Sequence, residues 1–160
     1  GQLGLGDEET RRVPAHITLL GGKRIAALDG GEHFSMALCL DGSLYSFGRG
    51  DSGQLGRKEA DKRGMINSGY FDNKPSRITQ LQGHAIKQIN CGSTHTVAVA
   101  TNGTTLFSWG FGENSSLGNG KDADELFPHR VRDKELTGSG RSVLQVDCGS
   151  QHTCILVKRS

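Results

Sequence analysis

Asp147-Cys148-Gly149-Ser150-Gln151-His152-Thr153 is one of three versions of a single pattern. The others are Asn90-Cys91-Gly92-Ser93-Thr94-His95-Thr96 and Asp29-Gly30-Gly31-Glu32-His33-Phe34-Ser35. Their middle glycines, Gly31, Gly92 and Gly149, recur roughly every 60 residues, and self-similarity at such a spacing signals an architecture built by repetition.

The surroundings repeat as well. A Gly-Leu-Gly loop stands at Gly1-Gln2-Leu3-Gly4 and Gly53-Gln54-Leu55-Gly56, and in degraded form at Ser115-Ser116-Leu117-Gly118. A polar stretch follows, then a proline with a β-branched residue three positions later: Pro14 and Ile17, Pro75 and Ile78, Pro128 and Val131. The chain has only 3 prolines, and all of them occupy this one place. Short apolar strands are predicted at Ile25–Leu28, Ile86–Ile89 and Val143–Val146, each running into the glycine pattern. A second strand leaves it at Ser35–Leu40, Thr96–Thr101 and Thr153–Lys158. Asp41-Gly42 and Asn102-Gly103 are dipeptides that close tight hairpins. They lead to Leu44-Tyr45-Ser46-Phe47 and Leu106-Phe107-Ser108-Trp109, which end at Gly48 and Gly110 and re-enter the loop.

Each repeat therefore reads as one small antiparallel sheet that must stack on its neighbours to bury both faces. Hairpins and a period well above 40 residues favour radial stacking, so the expected fold is an all-β propeller of four-stranded blades. The whole chain, residues 1–160, is one such region, with repeats at about 1–48, 49–110 and 111–160. Three repeats fall short of a ring of roughly four to eight blades. The missing blades are expected from the rest of a longer chain or from another copy, because the chain opens on one of its own internal motifs.

Composition agrees. Gly numbers 24 and helix-favouring amphipathic runs are scarce, as many short strands and turns require. The net charge of +2 neither demands nor excludes a nucleic-acid partner. The longest uncharged runs are rich in Thr, Asn and Gly, so no membrane partner is expected. Four scattered cysteines, Cys39, Cys91, Cys148 and Cys154, suit a reducing nuclear or cytosolic compartment better than a disulfide framework.

Cys-Gly-x-x-His-Thr, then Asp/Asn-Gly, then Tyr-Ser-Phe-Gly or Phe-Ser-Trp-Gly, then Gly-Gln-Leu-Gly resembles the regulator of chromosome condensation repeat. The resemblance covers nearly the whole chain and implies a seven-bladed propeller. Residues 107–158 are similar to the C-terminal blades of the family's exchange factors for the small GTPase Ran. It therefore implies a guanine-nucleotide releasing role with a Ran-like GTPase as partner, in the nucleus and on chromatin. Contact with nucleosomes would come through parts outside this chain, and no cofactor is implied. The repeat also serves as a non-catalytic interaction module in ubiquitin ligases and scaffolds. The Gly-Trp-Arg-His-Thr loops of its ultraviolet-B photoreceptor version are absent here.

By position, the resemblance puts Ser93, Thr94 and His95, and Ser150, Gln151 and His152, toward the GTPase. In the first repeat a gapless alignment sets Phe34 in the histidine place, with Glu32 and His33 before it. A one-residue slip restores His33 but breaks the Asp-Gly alignment, and both registers stay open. Glu32 is a candidate to compete for groups that hold the nucleotide or its Mg²⁺. The simpler role for the histidines is to close each blade by hydrogen bonding. The Cys91/His95 and Cys148/His152 pairs have the look of zinc half-sites, yet repetition alone accounts for them, and no metal is expected. Gly48-Arg49-Gly50-Asp51-Ser52-Gly53 imitates a dinucleotide loop, but Gln54-Leu55-Gly56 follows it in place of a helix. The longest insertion runs from Arg57 to Lys74, mixes both charges, includes Tyr70-Phe71, and is expected to be a solvated loop with partner contact as a second reading. No nucleophile elbow or Walker loop is present, so bond-making chemistry is not expected.

Overall fold

The computed structural model describes residues 1–57 and 69–159. The charged centre of the insertion (Lys58, Glu59, Asp61, Lys62 and Arg63) lies outside the described residues. The first sheet orders β1 (Ile25–Gly30), β2 (Phe34–Cys39), β3 (Leu44–Arg49) and β4 (Phe71–Arg77) as an antiparallel meander. The second repeats it with β5 (Ile86–Cys91), β6 (His95–Ala100), β7 (Leu106–Gly110) and β8 (Glu125–Val131). The third has two strands, β9 (Arg141–Cys148) and β10 (Thr153–Arg159). A short helix, α1 (Lys134–Thr137), joins the second sheet to the third. The Asp133 side chain caps it by accepting from the Glu135 and Leu136 amides. These are propeller blades: two complete and one begun.

Local chemistry explains the meander. Gly42 and Gly103 sit at φ 80° and 70° in the β2–β3 and β6–β7 turns, a region that costs a side chain but not glycine. Asp41 and Asn102 brace these turns by accepting from the Ser43 and Thr104 amides. A bulge recurs at one place in all three sheets, leaving Ala26, Lys87 and Leu144 unpaired. Pro75 and Pro128 lie in β4 and β8, the outer edge strands, where a missing amide proton leaves no gap in a ladder. The proline segment is thus the last strand of the sheet before it. Each sheet is offset from the glycine-pattern repeat by one strand. Residues 1–20 hold the corresponding loop and Pro14 but form no strand; Ile17 and Leu20 cover Ala37 and Phe47.

Two apolar layers lie between the sheets. Met36, Leu44, Leu55 and Ile78 meet Ala98, Phe107 and Trp109 between the first and second. Val97, Leu106 and Val131 meet Val143, Val146 and Ile155 between the second and third. Among the described residues the second layer contains no aromatic side chain, whereas the first has Phe107 and Trp109 from the third strand of the following sheet and Phe34 from the second strand of its own. Among the described residues no helix is long and apolar enough to cross a membrane.

Candidate functional site at the inner rim

The three glycine patterns form the turns between the first two strands of each sheet, and the structure brings them together. The Gly31 amide donates to the Phe34 carbonyl (3.0 Å), Gly92 to His95 (2.9 Å) and Gly149 to His152 (2.9 Å). This settles the first register: Phe34 holds the histidine place, and no slip occurs. A continuous backbone ladder then crosses the sheets. The Glu32 amide donates to the Ser93 carbonyl (3.0 Å), and the Ser93 amide donates to the Ser150 carbonyl (3.1 Å). The hydroxyls of Ser93 and Ser150 are 3.0 Å apart. At the other end of the inner strands the Ile86 amide donates to Gly42 (3.0 Å) and the Val143 amide to Gly103 (2.7 Å). The inner rim is therefore pinned at both ends, as a surface meant to present side chains in fixed positions must be.

Sequence reasoning missed the residue that opens each pattern. The Asp29 carboxylate accepts from the Cys91 amide (2.7 Å), and the Asn90 side chain accepts from the Cys148 amide (2.6 Å). Each crosses to the next sheet. The available signal was that positions 29, 90 and 147 are all Asp or Asn, short side chains ending in an acceptor oxygen. A second set was also missed. Ser35, Thr96 and Thr153 donate hydroxyl protons to the carbonyls of Gln2, Gln54 and Ser116, the second residues of the three loops. The degraded loop at 115–118 thus performs the same job as the intact ones.

The candidate residues divide by burial. Glu32 and His33 are exposed, with the His33 Nε2 3.6 Å from the Glu32 carboxylate. Ser93 and Thr94 are half-buried; Ser150, Gln151 and His152 are exposed. Gln151 accepts weakly from Asn114 (3.4 Å) on the neighbouring loop. His95 takes the simpler of its two expected roles, a hydrogen bond that closes one sheet on the next, and its side chain does not face a partner. It is 1% exposed, and its Nε2 lies 3.0 Å from the Thr153 hydroxyl in the next sheet. The ring is part of the sheet interface because its partner arrives 58 residues later, which no local pattern announces. His152 occupies the same place on the third sheet and is exposed.

Of the cysteines in the pattern, Cys91 is buried and Cys148 half-buried. Burial, foremost, pushes the Cys91 thiol well above its ordinary range and the Cys148 thiol up to about 11. Both stay protonated at neutral pH, and Cys148 Sγ lies 3.6 Å from the Asn90 carbonyl. Arg49 is held by its own turn, its Nε 2.8 and 2.9 Å from the two Asp51 oxygens. From the insertion, Arg57 binds Asp72 (2.7 Å) and the Ser46 hydroxyl (2.8 Å). Tyr70 packs against the first core layer, and Phe71 is exposed.

Burial, foremost, and then the nearby His152 hold the His95 pKa below its ordinary 6.5. The unfolded chain then takes up this proton before the folded chain does. Stability is fully present above about pH 6.5 and is lost as the pH falls through the depressed value. Phe34 fills the same place in the first sheet, so His95→Phe is expected to keep the fold. It should flatten the pH dependence of the urea midpoint below about 6.5. An unchanged slope would assign that dependence to other groups.

Comparison with known proteins fits this geometry. The profile of the regulator of chromosome condensation (RCC1) repeat matches residues 1–38, 41–99 and 105–156. The chain belongs to the RCC1 repeat family and is a part of an RCC1-type β-propeller. The human protein "Regulator of chromosome condensation" is 33% identical over 159 residues, covering 98% of this chain and 35% of that protein. The human "Probable E3 ubiquitin-protein ligase HERC3" is 30% identical over 152 residues, covering 95% of this chain and 14% of the ligase. Among solved structures, Prp20p from Saccharomyces cerevisiae superposes with a TM-score of 0.74 at 29% identity, over 88% of this chain and 32% of Prp20p. That structure was described together with the binding of Prp20p to Gsp1p and histones. The chain spans from about a seventh to about a third of these relatives.

Proposed function

We propose that this chain is part of a guanine-nucleotide exchange factor that promotes GDP release from a Ran-like small GTPase. The observation that carries the reading is the row of side chains at positions 32, 33, 93, 94, 150 and 151, projecting from one backbone-tied rim. A rigid polar row suits this task, because exchange makes and breaks no bond of the protein. The factor binds the nucleotide-free GTPase more tightly than the loaded one, and reciprocity lowers nucleotide affinity by the same factor. Ser93, Thr94, Ser150 and Gln151 offer hydroxyl and amide groups, and Glu32 offers a carboxylate that competes for groups holding the nucleotide or Mg²⁺. His152 caps the row on its open side, while His33 flanks it beside Glu32. The protein acts in the nucleus on chromatin, with nucleosome contacts and the remaining blades supplied by the longer protein or by another copy.

The similarity to a ubiquitin ligase supports a second reading, a non-catalytic propeller module that recruits partners to a larger protein. Nucleotide release from Ran, followed with a fluorescent GDP and the full-length protein, separates the two. Acceleration that falls about tenfold in a Glu32→Ala, Gln151→Ala double variant supports the exchange factor, since a few central contacts dominate such interfaces. No acceleration by the wild-type protein, with tight capture of another partner, selects the module.

A further inference from the structure

The antiparallel sheets gather the described charges at two ends. The hairpin end holds the Gly42 and Gly103 turns and the connections from β4 to β5 and from β8 to β9. The glycine-pattern end holds the inner-rim turns and the loops that follow β3 and β7. Lys and Arg dominate the first, and Asp and Glu dominate the second. The net charge of the whole chain is only +2, so the feature is a separation of charge and not an excess.

Ion pairing sharpens the contrast. At the hairpin end the acidic side chains are engaged locally. Asp41 accepts from the Ser43 amide and hydroxyl, Asp133 caps α1, and Glu135 pairs with Arg141 (2.7 Å) and Arg159 (3.5 Å). Arg77, Lys87, Arg130, Arg132 and Lys134 are exposed there, with no carboxylate at ion-pair distance among the described residues. They belong to the two complete sheets and the connections that leave them, and Arg77 and Arg130 hold the same place, opposite Tyr45 and Phe107. At the glycine-pattern end the roles invert. Arg49 is held by Asp51, Arg57 by Asp72 and Lys121 by Glu125. Glu113, Asp122, Asp124 and Asp147 stay exposed without a Lys or Arg partner among the described residues, and Glu32 has only His33 beside it.

We propose that the hairpin end is a docking surface for the glycine-pattern end of a second copy of the protein, stacked head to tail. Complementarity names the occupant: the surface opposite in charge to the hairpin end is carried by the same chain, at its other end. Stacking sets cations against carboxylates, and it keeps like charges apart. Single exposed pairs contribute little, so the contact depends on many acting together at low salt. Such a contact is heterologous and leaves one free end of each kind, so stacks grow with concentration unless they close into a ring. A nucleic acid would answer the basic end alone and leave the acidic end without a counterpart.

Sedimentation velocity of the full-length protein is the test. At about 0.01 M salt, where charges act over about 30 Å, the mean mass should rise at least about twofold with protein concentration, and at about 0.5 M it should fall to that of one copy. Arg77→Glu with Arg132→Glu should abolish the rise, as should Glu32→Lys with Glu113→Lys. An equimolar mixture of these two double variants should restore it, which also shows that both are folded. One unchanging mass in all conditions, association that persists at high salt, self-association of either double variant, or a mixture that stays apart would each overturn the proposal. So would a DNA duplex that binds the wild type but not the Arg77→Glu, Arg132→Glu variant while the protein stays a single copy, a result that gives the hairpin end to nucleic acid.

Discussion

Trp109→Ala is expected to cost about 3–5 kcal/mol, as truncating a buried aromatic does. The ring is 0% exposed and sits at the centre of the layer between the first two sheets, against Gly56. Its indole N–H is the shorter of the two donors to the Gln54 carbonyl, at 3.0 Å against 3.5 Å for the Thr96 hydroxyl. Alanine leaves both a cavity and a poorly satisfied buried carbonyl. Domains of this kind are stable by about 5–15 kcal/mol, so the variant should lose much of its urea resistance. Trp109→Phe supplies the contrast. Phe47 serves in the corresponding slot of the first sheet, so phenylalanine keeps the stacking and loses chiefly the hydrogen bond, about 1–2 kcal/mol. Circular dichroism is the suitable probe, because Trp109 is the chain's single tryptophan. Equal losses in both variants would put the stabilisation in the N–H bond and not in the packing.

This contact also marks the limit of what the sequence discloses. Phe47 and Trp109 are legible as strand residues before a glycine, and the loops are legible as repeated punctuation. That the ring of one sheet seats on the loop of the sheet before it is a long-range fact, with Trp109 and Gln54 55 residues apart. The hairpins at Gly42 and Gly103 were readable because their dipeptides encode a local backbone angle. Pro75 and Pro128 were readable as markers but not as outer strands, since an edge strand is defined by the neighbour it lacks. Glu32, Ser150 and Gln151 were found by their place in the pattern, and they are exposed. His95 and His152 stand in the same Cys-Gly-Ser-x-His-Thr pattern, and the presence of a following sheet buries one while the other is exposed. Asp29 and Asn90 escaped notice for a related reason, as their acceptors serve the next sheet and not their own turn.

Gly92→Ala should be nearly as damaging, for a different cause. The His95 ring folds back over the glycine, so a Cβ would stand 2.1 Å from its Cε1. The same Cβ would stand 2.7 Å from the Gly149 carbonyl oxygen of the next sheet. The ring can swing away only by giving up Thr153, and the carbonyl belongs to a turn held by the Ser93–Ser150 bond. Neither neighbour yields cheaply, and overpacking of this kind costs about 1–3 kcal/mol or more. Adding His95→Ala should recover part of the loss by removing the ring, but not the part due to the carbonyl. Gly149→Ala is the control. The three atoms nearest its Cβ would all belong to the ring of His152, which is exposed, so the cost should stay within about 1 kcal/mol. If urea midpoints showed Gly149→Ala to be as harmful as Gly92→Ala, the cost would lie in the turn itself. The close approach of neighbouring sheets would then not be the reason that glycine occupies the centre of each pattern.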